Sequence, residues 1–378
     1  MRIAIIGCGF VADFYLTTLS NYPELELVGV MDRDQARALR FSAYHGVLHY
    51  NSMEELLEDE KVELVVNLTN PRSHFEVSKA CLEAGKHVYS EKPLAMKMSE
   101  AEQLVELAEQ RGLYLSSAPC TLLGETAQTM WKAIRENVVG RVRLVYAEMD
   151  DGMIHQMRYR QWLSQSGIPW PYKDEFEVGC TLEHAGYCLT WLVAFFGPAQ
   201  SVTAFSSCLI PNKQTDSILE PRETPDFSVA CIKFASGVVA RLTCSIVAPA
   251  DHSLKIIGDK GVLSTHDCWD FTSPVHFQRR ITIRRKTFIS PWKQRYPLVK
   301  RGQGIVKHKT KHGMDFCRGV ADLAAAILEE RPCQLSARFS LHVNELVLTI
   351  QNALENNRTY QLKSSFDKAE VSKQLVIR

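Results

Sequence analysis

Arg2-Ile3-Ala4-Ile5-Ile6-Gly7-Cys8-Gly9-Phe10-Val11-Ala12 is an apolar, β-branched run that stops at two glycines and resumes as the start of a helix. Such a run suits a strand buried on both faces, the signature of a parallel sheet. The glycines permit a tight turn and a close approach of ligand to backbone, while the free amides opening the next helix attract an anion. Asp32 lies 20 residues beyond Ala12, at the end of the next apolar run. Strand, G-x-G-x-x-A turn, helix and acid at this spacing describe a dinucleotide site, with Gly7, Gly9, Phe10 and Val11 against the pyrophosphate and Asp32 on the adenosine ribose. Asp32 repels a 2′-phosphate, so NAD is the expected cofactor. Arg33 beside it suits that phosphate, which keeps NADP as the alternative.

The alternation continues outward. Strands are expected at Arg2–Ile6, Leu25–Met31, Val62–Leu68, His87–Tyr89 and Leu113–Ser117. Ser52-Met53-Glu54-Glu55, Ser73-His74-Phe75-Glu76 and Ser99-Glu100-Ala101-Glu102 each read as an S-x-x-E capping box opening a helix. This predicts an α/β chain whose residues 1–120 form a parallel, doubly wound Rossmann domain. Beyond residue 140 strands follow one another, at Val142–Met149, Phe227–Phe234 and Val238–Val247, the last two joined by the turn Ala235-Ser236-Gly237. Residues 121–363 therefore read as an α+β domain with an open-faced, mostly antiparallel sheet, covered by helices near 183–196, 314–330 and 338–355. The polar end, 364–378, reads as a flexible tail.

Composition agrees with a globular chain. Its 378 residues carry Lys+Arg 44 against Asp+Glu 43, and 46% are hydrophobic, enough for two cored domains and against disorder or a disulfide scaffold. The longest apolar runs, such as Ile3 to Ile6, fall far short of the ~20 residues of a membrane span, and no signal-peptide pattern precedes the first strand. A cytoplasmic location is expected. Eleven scattered cysteines without a C-x-x-C spacing suit reduced thiols in an apolar role, with no metal site.

Glu91-Lys92-Pro93 follows the fourth strand at the carboxyl edge of the sheet, where open α/β sheets bind ligands, and Asn67-Leu68-Thr69-Asn70-Pro71 ends the third strand at the same edge. Thr69, Asn70, His74, Glu91 and Lys92 are the expected cofactor contacts there. The ammonium of Lys92 suits donation to a substrate oxygen that gains charge as hydride leaves or arrives.

These motifs, together with Ile257-Gly258-Asp259-Lys260-Gly261 and a helix motif at Gly179, resemble the glucose–fructose oxidoreductase / inositol dehydrogenase / rhizopine-catabolism (Gfo/Idh/MocA) family over nearly the whole chain. The resemblance implies a Rossmann domain followed by a substrate domain, NAD or NADP, and hydride transfer at a carbinol carbon of a sugar, sugar derivative or cyclitol. It carries the E-K-P lysine, in contact with nicotinamide and substrate, onto Lys92. The family's second motif is G-G-x-x-x-D-x-G-x-H; here it reads Gly179-Cys180-Thr181-Leu182-Glu183-His184-Ala185-Gly186-Tyr187. Glu183 stands in the aspartate's place, Tyr187 in that of the catalytic histidine, and Thr190 where a further aspartate is frequent. Branches of the family carry tyrosine at that position, which makes Tyr187 the proton carrier.

A free phenol has a pKa of ~10, so Tyr187 needs nearby cations to act near neutrality; Lys92 and an oxidised nicotinamide are the candidates. Glu183 and Tyr187, four apart, share one helix face, which lets Glu183 orient the phenol or bind a substrate hydroxyl. His184 turns about 100° from Glu183 and ranks behind Tyr187 as the acid–base group, with a role at the substrate instead.

Arg158-Tyr159-Arg160-Gln161-Trp162 precedes a loop through Trp170-Pro171-Tyr172; Tyr159, Arg160 and Trp162 are candidate substrate contacts, alternatively surface aromatics at a subunit interface. Residues 272–314 hold 12 Lys/Arg and no Asp/Glu. Such a strip suits a solvated or intersubunit face first, an anionic substrate second and nucleic acid last. The expected partners are thus a small sugar or cyclitol and further copies of the chain, as dimer or tetramer, with neither nucleic acid nor membrane. Two alternatives share the fold: a glycosidase using NAD transiently, and a silent NAD-binding regulator.

Overall fold

Five parallel strands, β1 (Arg2–Ile6), β2 (Glu26–Met31), β3 (Leu64–Asn67), β4 (His87–Ser90) and β5 (Leu115–Ser117), pair in the order β2-β1-β3-β4-β5. They are seen in a computed structural model that describes residues 1–299, 313–356, 358–368 and 371, with the side chains of 355 and 356 left aside. Ile3, Ala4, Ile5 and Ile6 are all buried, as a central parallel strand requires. Strand ends differ from the sequence expectation by two residues or fewer. The chain passes from β2 across β1 to β3, so the topological switch point lies between β1 and β3.

The helices of this sheet start on less regular signals than expected. Ser52 does cap the helix Met53–Glu58, its side chain accepting from the Glu55 amide at 3.2 Å. Ser73 precedes the helix His74–Glu83 without a side-chain cap, and Ser99 lies inside the helix Met98–Arg111, because the turn Pro71–Ser73 and Lys97 already set those starts. Asp34 caps a helix the sequence reading passed over, Gln35–His45.

Among the described residues, ten further strands form the second sheet: β6 (Val142–Asp150), β7 (Ala199–Ser207), β8 (Phe227–Phe234), β9 (Val239–Ser245), β10 (Leu254–Gly258), β11 (Gly261–Thr265), β12 (Val275–Ile283), β13 (Lys286–Ile289), β14 (Gln294–Tyr296) and β15 (Tyr360–Gln361). The order is β13-β12-β11-β10-β6-β9-β8-β7-β15, with β14 on β12, and every pairing but β6 with β9 is antiparallel. Along β8 Ser228, Ala230, Ile232 and Phe234 are buried while Cys231 and Lys233 are exposed, the alternation of a sheet with one open face. The expected helices appear as Gly186–Phe196, Cys317–Leu328 and Ala337–Gln351.

Two compact units result. The first is Met1–Cys120 with Met157–Val178 and Asp315–Glu345; the second takes Thr121–Gln156, Gly179–Met314 and the chain from Leu346 onward. Besides the stretch up to residue 120, two later segments join the first unit. Polar contacts tie them there: Ser166 donates from its amide and hydroxyl to Asp13, Tyr22 donates to Asp315 at 2.6 Å, and Asn344 donates to the Ala95 carbonyl at 3.2 Å. The expected flexible tail is anchored over its described part. Phe366 and Val371 are buried, and Lys368 donates to the Phe195 carbonyl at 2.8 Å. In the basic stretch, Arg279 to Lys286 lie on an exposed β12–β13 hairpin and Lys293 and Arg295 beyond it, whereas Lys300 to Lys311 fall outside the described residues.

Candidate functional site

In the first unit the carboxyl ends of β1, β2 and β3 meet at the switch point. Gly7, at φ +103°, donates to the Met31 carbonyl at 2.8 Å and holds the turn after β1 against β2. A Cβ on Gly9, by contrast, would meet nothing within 4 Å, leaving open the approach that a pyrophosphate needs. Phe10 and Val11 follow at the helix start, both partly exposed.

Asp32 is buried and fully engaged. One carboxylate oxygen accepts from the Cys8 amide at 2.8 Å and Arg37 Nε at 2.9 Å, the other from the Asp34 amide at 2.9 Å and Arg37 Nη2 at 2.8 Å. Burial works against its charge, but Arg37 and the two amides outweigh it and hold the carboxyl below its ordinary range. The guanidinium beside Asp32 is therefore that of Arg37; Arg33, the sequence candidate, is exposed. Arg37 was missed because its approach depends on the helix Gln35–His45, whose Asp34 cap is the signal that places it one turn along.

The loops after β3 and β4 complete this edge. Asn67, buried, accepts from the amide and hydroxyl of Thr69 and donates to Ser78 and the His74 carbonyl. Asn70 Oδ1 is buried without a hydrogen-bond partner among the described residues, an acceptor that suits a donor of the bound dinucleotide. His74, an expected cofactor contact, bridges the two loops. Its ring nitrogens lie 2.7 Å from the Pro93 carbonyl and 3.0 Å from the Thr69 carbonyl, so it clasps the two loops together. Burial holds His74 below its ordinary pKa against the pull of those carbonyls. Glu91 likewise turns inward, accepting from Tyr15 Oη at 2.8 Å and from the Lys92 amide at 3.1 Å. Lys92 is half-buried at the head of this turn. Open space at Gly9, the orphan acceptor on Asn70 and the acid at the end of β2 fit a dinucleotide.

The candidate substrate segment belongs to the first unit. Tyr159 is buried among Trp170, Tyr172 and Phe176, with ring centroids 6.1, 5.1 and 5.4 Å away. Arg160 is exposed and lies over the Tyr159 ring, and Trp162 packs on Trp170 at 5.0 Å.

In the second unit the Gly179 motif begins with a π-helical turn, Thr181–Ala185, before the helix Gly186–Phe196. Such wide turns recur at functional sites. Glu183 and His184 are buried in it and Tyr187 is half-buried. Trp269, from the loop after β11, brings two of these together: its ring meets Tyr187 at 5.0 Å and His184 at 5.7 Å. Ranking His184 by its angle to Glu183 overlooks that it stands three residues from Tyr187, close enough to share that indole. Thr190, where the family often has an aspartate, donates to the Gly186 carbonyl at 2.7 Å. Sequence gave no signal for Trp269, because its place comes from sheet register. Among the described residues no group of three His, Cys, Asp or Glu gathers to hold a metal ion. Nor is any described helix long and apolar enough to cross a membrane.

An anion-ready glycine turn at a switch point, with an acid closing β2, marks the class: a dinucleotide-binding oxidoreductase. The profile of the oxidoreductase family with an NAD-binding Rossmann fold (GFO/IDH/MocA) matches residues 1–118, and that of the GFO/IDH/MocA C-terminal domain matches 127–264. The chain belongs to the GFO/IDH/MocA family, as the motifs led one to expect. It is 28% identical over 281 residues to the trans-1,2-dihydrobenzene-1,2-diol dehydrogenase of Bos taurus, covering 73% of this chain and 77% of that protein. A UDP-N-acetylglucosamine 3-dehydrogenase from Acidithiobacillus ferrooxidans superposes with a TM-score of 0.68 at 20% identity, covering 94% of this chain and 98% of the other. The WlbA dehydrogenase from Bordetella pertussis, solved with NADH and UDP-GlcNAcA, superposes with a TM-score of 0.71 at 17% identity, covering 97% and 98%.

Proposed function

We propose that the protein transfers a hydride between nicotinamide and a ring-borne secondary alcohol of a sugar, sugar derivative or cyclitol, with NAD preferred to NADP. The observation that carries this reading is the switch-point crevice, where Gly9 leaves room, Asn70 offers an acceptor and Asp32 ends β2. When bound, the nicotinamide supplies the hydride acceptor or donor. The diol of the bovine relative and the amino sugar of the bacterial dehydrogenase both present a secondary alcohol on a six-membered ring, which supports the substrate class.

In this reading Lys92 donates a hydrogen bond to the reacting oxygen and stabilises the charge that gathers there. Tyr187 takes the hydroxyl proton in oxidation and returns it in reduction, while Glu183, buried four residues earlier, orients it. His184 binds a substrate hydroxyl beside it. Arg160 and Trp162 are proposed substrate contacts, mounted on the buried Tyr159. The enzyme works in the cytoplasm as a homo-oligomer, dimer or tetramer, on a small and in some cases anionic substrate, with neither nucleic acid nor membrane as partner. The open face of the second sheet, which exposes Phe205 and Val239, supports self-association. The test is a panel of sugars, uronic acids, amino sugars, inositols and dihydrodiols with NAD and NADP separately, reading reduced cofactor. Turnover of a ring alcohol supports the reading; silence across the panel with NAD bound overturns it.

A further inference from the structure

The unit that carries Tyr187 holds a second histidine, half-buried, for which the reaction above has no use. His252 lies between two aspartates, its Nε2 3.4 Å from an Asp151 oxygen and its Nδ1 3.6 Å from an Asp267 oxygen. Its ring stands on Trp269, centroid to centroid 4.1 Å, tilted by 38°. Asp267 also accepts from the Trp269 amide at 2.8 Å, and the Cys268 amide donates to the His252 carbonyl at 3.0 Å. Side chain and backbone thus hold one indole from the same side chain cluster, and that indole is the one Tyr187 meets at 5.0 Å.

We propose that His252 is a positioning residue for Tyr187, acting through Trp269: the two aspartates hold the imidazole against the indole, and the indole fixes the phenol. This rests on the reading of Tyr187 as proton carrier.

Charge adds to geometry. Burial alone drives the imidazole neutral, but Asp151 and Asp267 overcome it and raise its pKa to about 10. The ring on Trp269 is then an imidazolium at neutral pH, attracted to the indole face. The groups facing it are Asp151, Asp267 and Cys268, with Asp150 and Asp251 next to them on the strand and loop behind. His252 supplies a cation among these acids, so removing it leaves uncompensated negative charge behind the indole that Tyr187 meets, which disfavours the phenolate.

Two titrations of the full chain test this without relying on turnover. Tryptophan emission, taken as native minus Trp269→Phe, should rise as pH passes about 10, because an imidazolium stacked on an indole quenches it. His252→Gln should lack that step. Tyrosinate absorbance, taken as native minus Tyr187→Phe, should move to higher pH by about half a unit or more in His252→Gln, and His252→Arg, which restores a planar cation, should move it back. No emission step in the native protein, or a Tyr187 titration unmoved in His252→Gln, overturns the proposal. A Gln variant that fails to fold leaves the native emission step and the Arg variant to decide it. Turnover that survives Tyr187→Phe overturns the functional reading instead, and the two titrations still decide the positioning.

Discussion

Two glycines two residues apart should fail in opposite ways when each is given a methyl group. At Gly7, φ is +103° and a Cβ would stand 2.6 Å from the carbonyl carbon and oxygen of Leu68 and 2.7 Å from the Thr69 amide. All three atoms are main chain, so no side chain can swing aside. Left-handed backbone and forced separation of packed segments together put Gly7→Ala at about 2–5 kcal/mol of lost stability. At Gly9 a Cβ meets nothing within 4 Å, so Gly9→Ala should stay within about 0.5 kcal/mol of the native protein. Its methyl instead occupies the approach of the pyrophosphate, and a loss of about 2 kcal/mol there weakens NAD roughly thirtyfold. Thermal unfolding with and without NAD separates the two. At a hundred times the native Kd, NAD stabilises the native protein by about 2.7 kcal/mol and a thirtyfold weaker site by only about 0.9 kcal/mol. Gly9→Ala that keeps the full NAD-induced shift, or Gly7→Ala as stable as the native chain, would refute the assignment of this turn.

Asp32→Ala releases Arg37, so affinity for NADP should rise at least about tenfold relative to NAD, as measured by fluorescence titration of each; an unchanged ratio would mean Arg37 does not reach the ribose. Lys92→Met should bind NAD as before and lose about a hundredfold or more in turnover, checked by single-turnover kinetics. Stability should respond to pH at both ends. His74 is held below its ordinary value, so its contribution is present above about pH 6.5 and is lost as pH falls through the folded value; a His74→Asn variant should show a shallower acid decline. His252, raised to about 10, contributes fully below about pH 6.5 and loses that contribution as pH rises through 10, a slope that His252→Gln should abolish in unfolding midpoints taken from pH 7 to 10.

The Rossmann half was legible because its signals are local. A fully apolar strand, glycines at its end and an acid at a fixed distance all lie within 32 residues. Strand pairs such as β8 and β9 were equally plain, since alternation and the turn at Gly237 are near-neighbour features. What escaped reading depends on distant segments meeting. Asp13 accepts from Ser166, Tyr22 donates to Asp315, and Trp269 joins Tyr187 to His252; no periodicity announces such pairings. His74 and Glu91 were picked out as cofactor contacts from their place at the sheet edge, yet their side chains are spent on Thr69, Pro93, Tyr15 and the Lys92 amide. Position in a motif names the neighbourhood of a side chain, whereas its hydrogen bonds decide which way it faces.

Transfer of deuterium is the most direct test of the central claim. Ring alcohols labelled at the carbinol carbon should deliver their label to C4 of NAD in native protein, and more slowly by about a hundredfold or more in Lys92→Met. Glycoside hydrolysis without reduced cofactor, or label transfer undiminished in that variant, would contradict the account.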